Sequence, residues 1–410
     1  MFINKIKVSN FSGIKDLIEI DFTEGGKSEK DGYFNLKEDR VSLINGFYGA
    51  NASGKTTILN TIDKIFEIMI AVRPEFSISQ TGLKQENIIC YQNFHIDMDG
   101  KPTEFEITFT INNNKYIYSL TILDGKNIIK ESLFKNKDEV FVRVENSIKF
   151  NEKYKELENT FEKYIISSKT SFVSQLINMG LSPKAAENII SDIKSIPKKT
   201  CFITDKRMVN MGQDNINGIF NVAFNYLNNP GIDKEVFLGN LNSITKFFEP
   251  SLDEIVLKQK DTQTIEYGLK YKNSNKLLPV MEASAGTREL ISYINDILNI
   301  LKVGGIVVYD ETSKYYHPDM EISILNLFKD KDINKNNAQI FFSSHNHETF
   351  DLLHINQSYI VEKENDVVLV NKVSDFDIQE RDNLKKKYRL GSLGGVPDTI
   401  DFKRVINNLL

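Results

Sequence analysis

The 410-residue chain has only two cysteines and no large excess of charge of either sign. Cys90 and Cys201 are far apart and have no His or Cys companions at metal-ligand spacing, so a disulfide scaffold and a zinc ribbon are excluded. A formal net charge of −5 gives no overall signature of nucleic-acid binding, although a local basic patch is compatible with it. The low cysteine content fits a reducing compartment.

Long apolar runs are also absent. No window approaches the roughly 18 uninterrupted apolar residues that a membrane-spanning helix needs. Residues Phe2–Val8 alternate apolar and polar side chains, as a strand does, and no apolar region typical of signal peptides follows them. We therefore expect a soluble, cytoplasmic protein without a membrane partner, and the length predicts two or three domains.

The sequence does contain a Gly-rich loop between a predicted strand and a predicted helix. Gly49–Thr56 fits the pattern Gly-x4-Gly-Lys-[Ser/Thr] at every position, with the apolar run Val41–Ile44 before it and the helix-like Thr57–Ile62 after it. The backbone N–H groups of such a loop, together with the N-terminus of the next helix, form a cradle for phosphates. The alternative is a simple Gly-rich turn, but the complete match favours binding of a nucleoside triphosphate.

Two side chains of this loop have specific predicted roles. Lys55 is expected to reach the β- and γ-phosphates of the nucleotide, and the Thr56 hydroxyl is expected to bind Mg²⁺. The full set of predicted nucleotide contacts in this segment is Gly49, Ala50, Asn51, Ala52, Ser53, Gly54, Lys55, Thr56 and Thr57.

A second pattern is the apolar run Ile306–Tyr309 followed by two acids, Asp310 and Glu311. Such a run predicts a buried parallel strand, and the carboxyl end of such a strand is where open α/β sheets bind ligands. Asp310 is expected to hold Mg²⁺ through water, and Glu311 to polarise the attacking water. Taken alone, the pattern is equally compatible with a structural role; its pairing with the phosphate loop favours catalysis.

Two further segments complete the set. Ser284, Gly286 and Thr287 precede a predicted helix and resemble a second anion site, although a simple helix cap at Ser284 or Thr287 is the alternative. His345 follows the apolar strand Gln339–Phe342 and is expected to contact the γ-phosphate or the water. A structural histidine is the alternative there, and the position at the end of the strand after Asp310 favours the sensing role.

These four segments, in this order, resemble the ABC-type ATPase fold, in the branch that contains SMC-like, RecF-like and OLD-like proteins. Asp310–Pro318 matches the Asp-Glu-x5-His-Pro form of that branch and departs from it at Ser313 and Tyr315. The resemblance also implies contacts near the adenine from Asn10, Phe11 and Ser12. It implies a metal-contacting glutamine as well, for which Gln92 is the candidate.

The C-terminal residues narrow the resemblance further. Asp382–Pro397 is similar to the closing segment of bacterial AAA-15 class ATPases, which include AbiL/RloA-like abortive-infection proteins. Within it, Lys385–Lys387 is interpreted as a solvated face in preference to a nucleic-acid contact. The resemblance covers nearly the whole chain and is weakest from about 140 to 245.

The resemblance implies a symmetric homodimer or higher homo-oligomer in which Ser284 and Gly286 of one copy complete the ATP site of another. It implies a sensor or scaffold in anti-phage defence, controlling a separate effector protein; the alternative is a RecF/SMC-like, DNA-binding repair ATPase. OLD-type relatives carry a nuclease domain of roughly 100 or more residues after the histidine. Residues 346–410 are too few for it, so we expect no nuclease in this chain.

The predicted fold class is α/β, with an ABC-ATPase-like P-loop NTPase core, an antiparallel β subdomain and an inserted helical domain. The core is expected to form from both ends of the chain. The predicted segments are an N-terminal half of the core at 1–92, an antiparallel β segment at 93–150, a helical insertion at 151–248, a C-terminal half of the core at 249–375 and a C-terminal segment at 376–410.

Overall fold

The structure, a computed structural model, describes most of the chain. The described residues are 1–26, 28–36, 39–70, 96–161, 167–178, 186–203, 233–259, 265–314, 317–379, 381–397 and 402–409. Gln92 lies outside them. Within these ranges, no helix has both the length and the apolar character that crossing a bilayer demands.

The described strands form four sheets. In chain order the strands are β1 (Phe2–Ser9), β2 (Ile18–Asp21), β3 (Thr23–Gly25), β4 (Tyr33–Asn35), β5 (Asp39–Ser42), β6 (Ile44–Tyr48), β7 (Thr103–Ile111), β8 (Asn114–Leu123), β9 (Asn127–Lys135), β10 (Asp138–Val144), β11 (Ser147–Phe150), β12 (Thr200–Ile203), β13 (Leu252–Gln259), β14 (Ile265–Tyr271), β15 (Leu277–Pro279), β16 (Ile306–Tyr309), β17 (Gln339–Ser343), β18 (Ser358–Glu364) and β19 (Val367–Lys372).

The described helices divide between the core and the middle of the chain. They are α1 (Lys55–Ile70), α2 (Glu156–Phe161), α3 (Phe172–Asn178), α4 (Glu187–Lys194), α5 (Lys234–Phe248), α6 (Ala285–Val303), α7 (Pro318–Lys329), α8 (Leu384–Arg389) and α9 (Phe402–Leu409).

The core is a six-stranded sheet in the order β12-β16-β17-β6-β18-β19. Its first five strands are parallel, and β19 is antiparallel to β18. Every residue of β16 is buried, because helices cover both faces of the sheet. The carboxyl ends of β6, β16 and β17 therefore meet at one edge, and the loops that follow these strands are brought together there.

Alternate residues of β16 enter two different hydrophobic clusters. Ile306 and Val308 pack with α1 and with the antiparallel sheet, whereas Val307 and Tyr309 pack with α6 and α7. Phe66 of α1 lies edge-on to Phe109 of the antiparallel sheet, with ring centroids 6.0 Å apart. Helix α1 is thus held between the two large sheets.

The antiparallel sheet has the order β11-β10-β9-β8-β7-β1-β2, so the N-terminal strand pairs directly with β7. The alternate apolar residues of β7 are all buried and form its inward face. Asn112 and Asn113 have φ of 49° and 63° and form the tight turn between β7 and β8. The buried apolar residues of the pair are Phe105, Ile107, Phe109, Ile111, Tyr116, Tyr118 and Leu120.

The strand that enters the phosphate loop differs from the prediction. The sequence predicts it at Val41–Ile44, but the strand that leads into the loop is β6, Ile44–Tyr48. Val41 belongs to β5, which pairs with β3 and β4 in a small separate sheet. The chain changes sheets at Leu43, whose N–H donates to the carbonyl of Gly32.

The segment 151–248 is not helical throughout, contrary to the prediction. It contains α2, α3, α4 and α5, but Thr200–Ile203 forms β12 and pairs in parallel with β16. A Cβ on Gly305 would lie 2.3 Å from the carbonyl oxygen of Lys199, so glycine is required where the two strands begin. β12 extends the core sheet, because it covers the backbone edge of β16 that would otherwise be unpaired.

Candidate functional site

The phosphate loop has the backbone geometry that its two glycines allow. A Cβ on Gly49 would lie 2.2 Å from the carbonyl oxygen of Val361. Gly54 has φ of +111°, and a Cβ there would lie 2.7 Å from Val368 Cγ2. Both positions require glycine, the first for close approach to β18 and the second for its backbone conformation as well.

Lys55 opens helix α1 and is buried against its own loop. Its Nζ donates to the carbonyls of Gly49 and Ala50, each at 2.9 Å. Burial lowers the pKa of Lys55, and the nearby carboxylates of Asp310 and Glu311 oppose that shift. The ammonium group is therefore held at the loop beside two acids.

The loop also offers donors that lack protein acceptors. The hydroxyl of Ser53 is buried and has no hydrogen-bond partner among the described residues. The first N–H groups of α1 have no intrahelical acceptor, as in any helix, and they point toward the loop. An orphaned hydroxyl, a helix N-terminus and an ammonium group fit an anionic group of phosphate size.

A cavity of about 480 Å³ opens over this loop. It brings the loop together with residues that follow β16 and β17 in the core sheet. The lining residues are Asn51, Ala52, Ser53, Gly54, Lys55, Thr56, Thr57, Glu311, Ser313, Lys314 and His345.

Asp310 and Glu311 are fixed by a serine on the neighbouring strand. Ser343 Oγ donates to Asp310 Oδ1 at 2.6 Å and accepts from the N–H of Glu311 at 2.7 Å. Glu311 has φ of 54°, in the left-handed region that few side chains adopt. One hydroxyl thus orients the buried carboxylate of Asp310 and holds the backbone that presents Glu311 to the cavity.

His345 reaches the same cavity from the loop after β17. Its N–H donates to Ser313 Oγ at 3.1 Å, which ties it to the turn after Glu311. Burial lowers the pKa of His345, and the positive charge of Lys55 lowers it further. The imidazole is therefore neutral at neutral pH, so one ring nitrogen can donate a hydrogen bond and the other can accept one.

The buried Glu321 bonds residues of both the loop after β16 and the loop after β17. Glu321 accepts hydrogen bonds from the Thr312 hydroxyl and, at 2.9 Å, from Asn346 Nδ2. Burial raises the pKa of Glu321, and these hydrogen bonds oppose the shift. Thr312, next to Glu311, and Asn346, next to His345, are therefore both held by Glu321.

The metal-binding prediction is compatible with this geometry. Thr56 lines the cavity. Asp310, the buried residue that precedes Glu311, accepts a hydrogen bond from Ser343. Among the described residues, no group of three or more His, Cys, Asp or Glu side chains could hold a metal ion by itself. Mg²⁺ commonly takes one or two protein ligands and completes its shell with phosphate and water, so Thr56 and Asp310 are the side chains that would hold it.

The segment around Ser284 does not line this cavity. Ser284 caps α6, where its Oγ accepts from the N–H of Thr287 at 3.1 Å. Thr287 Oγ1 donates in turn to Glu249 Oε2 at 2.9 Å. Ser284 is exposed, Gly286 is half-buried, and neither is among the described residues that form the cavity wall. Within one copy of the chain, the capping interaction is what Ser284 makes.

The N-terminal turn lies near the phosphate loop without lining the cavity. Asn10 and Phe11 are buried: Asn10 Nδ2 donates to the carbonyl of Lys101 at 2.8 Å, and Phe11 packs edge-on against Phe105. Ser12 is half-buried, with φ of 53°. The next residue in the turn accepts a hydrogen bond from the N–H of Val368, the residue that also abuts Gly54. The described contacts of Asn10 and Phe11 are structural.

The C-terminal segment packs on the start of the phosphate loop. The N–H of Gly395 donates to Glu362 Oε1 at 2.7 Å, and its carbonyl accepts from the Tyr388 hydroxyl at 2.9 Å. A Cβ on Gly395 would lie 3.4 Å from the Cα of Gly49. Tyr388 also packs against His347, two residues after His345, with ring centroids 5.2 Å apart. The segment thus contacts both the loop and the strand end that carries His345.

The family model described as "AAA domain, putative AbiEii toxin, Type IV TA system" matches residues 44–351. The chain belongs to this family. It is an AAA-type ATPase, and the matched range includes the phosphate loop, Asp310, Glu311 and His345. The predicted fold class is confirmed: the AAA domain is an α/β, ABC-ATPase-like P-loop NTPase core in which strand β6, the loop and α1 follow one another.

Other comparisons add little to the family assignment. No curated protein matches the chain. Among solved structures, the chain is similar to the Smc head domain with a coiled coil and joint derived from Pyrococcus yayanosii. That likeness has 10% sequence identity and a TM-score of 0.42, and it covers 91% of this chain and 98% of the other.

Three lining or supporting residues of the AAA site had no role assigned from the sequence. Ser343 lies at a strand end and Ser313 in a turn. Serine is common in both places, so the residue type alone does not indicate a role in the site. Lys314 follows the two acids by only a few residues, and a charged residue in a turn is usually solvated. Their roles depend on which strands are neighbours, and the sheet order supplies that information.

Proposed function

We propose that the chain binds ATP with Mg²⁺ in the 480 Å³ cavity and hydrolyses it to ADP and phosphate. The observation that carries this proposal is the shared cavity: Lys55, Glu311 and His345 come from three separate loops and line the same space. A structural role for these residues would not require their side chains to converge on one opening.

Each residue has a task in this proposal. Lys55 moves its ammonium group from the carbonyls of its loop to the phosphates, and the loop N–H groups bind the phosphate oxygens. Thr56 and Asp310 would hold Mg²⁺, which would supply positive charge against the phosphates. Glu311 orients the attacking water and accepts its proton. The neutral imidazole of His345 hydrogen-bonds the water or the terminal phosphate.

We infer that a second copy completes the site. Ser284, Gly286 and Thr287 lie outside the cavity of their own chain, and Ser284 is exposed at the N-terminus of a 19-residue helix. Positive helix ends favour phosphate, so this surface is suited to close the cavity of a partner copy. ATP would then join two copies, and hydrolysis would release them.

We propose that this cycle serves anti-phage defence by controlling a separate effector protein. The resemblance of Asp382–Pro397 to abortive-infection ATPases and the toxin–antitoxin wording of the family description support this role. Lys385 and Lys387 pair with Glu348 and Asp382, so this lysine run gives no support to nucleic-acid binding.

The variant Glu311→Gln tests the enzymatic part of the proposal. It keeps the size and most hydrogen bonds of the side chain but cannot accept the proton of the water. ATP turnover is expected to fall by at least about a hundredfold, while ATP binding is retained and dimers accumulate in ATP but not in ADP, as measured by size-exclusion chromatography with light scattering. Wild-type turnover in Glu311→Gln would refute the assigned role.

The trapped variant and the wild-type chain together separate the two biological roles. For the defence role, the ATP-bound form should bind the product of an adjacent gene, and the wild-type chain should restrain the toxicity of that product in cells. For the DNA-repair alternative, duplex DNA should stimulate hydrolysis by the wild-type chain, and this effect should fade steeply with salt. Salt-sensitive stimulation of ATP hydrolysis by DNA, together with no binding of an effector protein, would overturn the defence proposal.

A further inference from the structure

Lys314 forms part of the cavity wall opposite the phosphate loop. It lies in the turn that follows Glu311, where its N–H donates to the Glu311 carbonyl at 3.0 Å. Its Nζ is 3.8 Å from Glu311 Oε2, and both side chains are 37% exposed. The turn therefore presents a cation and the proposed water-orienting carboxylate side by side to the same opening.

The contact between these two side chains is weak. A nitrogen–oxygen distance of 3.8 Å is longer than a hydrogen bond, so the attraction is Coulombic only. Pairs that are this exposed are screened by water and contribute little to stability. An anion with more charge than one carboxylate would therefore draw Lys314 away from Glu311 at small cost.

Two ammonium groups face the cavity. Among the described residues that line it, these are Lys55 and Lys314, and the carboxylate is Glu311; Asp310 does not line the cavity but acts electrostatically on Lys55. Lys55 belongs to the loop, whereas Lys314 stands on the wall that also carries His345. The two cations thus reach the cavity from different segments, and Lys314 lies in the turn that follows Glu311, the residue assigned to the attacking water.

We propose that Lys314 is a second phosphate-binding cation that exchanges its partner when ATP binds. Before binding it pairs with Glu311; with ATP present it contacts the γ-phosphate, and Glu311 is released to orient the water. This inference rests on the proposed function of the cavity and adds a discriminating step to it. ADP lacks the γ-phosphate, so Lys314 stays with Glu311 in the ADP form.

The test measures binding of ADP and of a non-hydrolysable ATP analogue separately, in chains that keep Glu311, so that the proposed exchange of partners can occur. Lys314→Ala is expected to weaken binding of the ATP analogue about tenfold, as loss of a charge-assisted contact does, and to change ADP binding less than about twofold. Lys314→Arg should retain binding of the ATP analogue within about threefold because it keeps the charge. Isothermal titration calorimetry with each nucleotide and Mg²⁺ gives these affinities.

Lys331→Ala is the matched control. Lys331 is an exposed lysine that pairs with Glu29, and it precedes β17 at the amino end of the core sheet, away from the cavity. It should leave both affinities unchanged. Thermal melting of all variants checks folding, and Lys314→Gln serves as a second neutral variant.

The outcomes separate this inference from the proposed function. Equal losses for the ATP analogue and ADP, or no loss for either, would overturn the role of Lys314 while leaving the ATP site intact. If the chain with Lys314 and Glu311 intact binds neither nucleotide, the proposed function fails, and Lys314 has no phosphate to bind.

Discussion

At the scale of single residues, Ser343 is the point at which two loops of the ATPase site meet. Its hydroxyl donates to the Asp310 carboxylate and accepts from the N–H of Glu311. The same hydroxyl therefore acts as donor to one acidic residue and as acceptor from the other. The same residue's carbonyl accepts from the N–H of Thr312 at 3.0 Å. Ser343 thereby fixes the left-handed backbone at Glu311.

Replacing Ser343 with alanine should therefore impair turnover more than binding. The Glu311 N–H loses its partner and Asp310 loses a donor, which we expect to cost about 1–3 kcal/mol of stability. ATP turnover should fall about tenfold or more because Glu311 is no longer held, whereas ATP affinity should change little. Steady-state kinetics separates kcat from KM, and thermal melting reports the stability.

A serine elsewhere in the same sheet provides the control. Ser358→Ala removes a hydroxyl from β18 that bonds only loosely, at 3.4 Å, to the carbonyl of His354 and does not touch Asp310. It should leave kcat unchanged. If Ser343→Ala has the kcat of this control, Ser343 does not position Glu311.

At the scale of elements, the C-terminal segment is a support for the phosphate loop. Gly395 has φ of +68° and lies between Ile360 of β18 and the Cα of Gly49. Glu362 and Tyr388 bond its N–H and its carbonyl. A shift of this turn would therefore press directly on the first residue of the loop.

Gly395→Ala should weaken ATP binding through this contact. The new Cβ would lie 2.8 Å from Ile360 Cγ2 and 3.4 Å from Gly49 Cα, so the turn or the loop must move. We expect an affinity loss of about threefold to thirtyfold, which corresponds to about 0.7–2 kcal/mol. Titration of ATP, with melting curves as the folding check, measures it.

Gly391→Ala is a matched comparison in the same segment. Gly391 has a similar φ of +75°, but a Cβ there meets nothing within 4 Å. It carries the same backbone penalty without the contact to the loop. If the two variants lose the same ATP affinity, backbone strain explains the effect and the support role of Gly395 is refuted.

Elements with local determinants could be predicted from the sequence. The phosphate loop, the buried run of β16 and the hairpin at Asn112 and Asn113 depend on a few adjacent residues, because glycine, asparagine and apolar periodicity act within one turn or strand. The convergence of the loops after β6, β16 and β17 also follows, since carboxyl ends of parallel strands share an edge.

Elements that depend on distant partners could not be predicted. Thr200–Ile203 is short, and it is a strand because β16 offers it an edge about a hundred residues later in the chain. The change of sheet at Leu43 depends on the carbonyl of Gly32. The partner choice of Ser343 and the packing of Gly395 on Gly49 likewise arise only when the chain is folded.

At the scale of the whole molecule, the two large sheets are locked together across the length of the chain. Gln339 of β17 accepts from the N–H of Ile3 at 2.8 Å and donates to the carbonyls of Ile3 and Ser42. The amino group of Met1 donates to the carbonyl of Gly304 at 2.8 Å. Strand β1 of the antiparallel sheet is thus fastened to the core sheet, and α1 lies between them.

Within one chain, the two parts of the proposed ATP site do not line the same cavity. The cavity opens at the carboxyl ends of β6, β16 and β17, while Ser284 is exposed at the start of α6 and is bonded to Thr287. Ser284 therefore does not line the cavity over the phosphate loop of its own chain. Two copies in a symmetric pair could supply both halves twice.

The central claim, a shared ATP site, is tested most directly by mixing two inactive variants. Glu311→Gln removes the water-orienting carboxylate, and Ser284→Arg places bulk and charge on the surface that would meet the partner's nucleotide. Each variant alone is expected to be inactive. A mixture should recover up to about a quarter of wild-type ATP turnover, because about half of random dimers are mixed and each mixed dimer has one intact site. Turnover that stays absent in the mixture, or a Ser284→Arg variant as active as the wild type, would contradict the account.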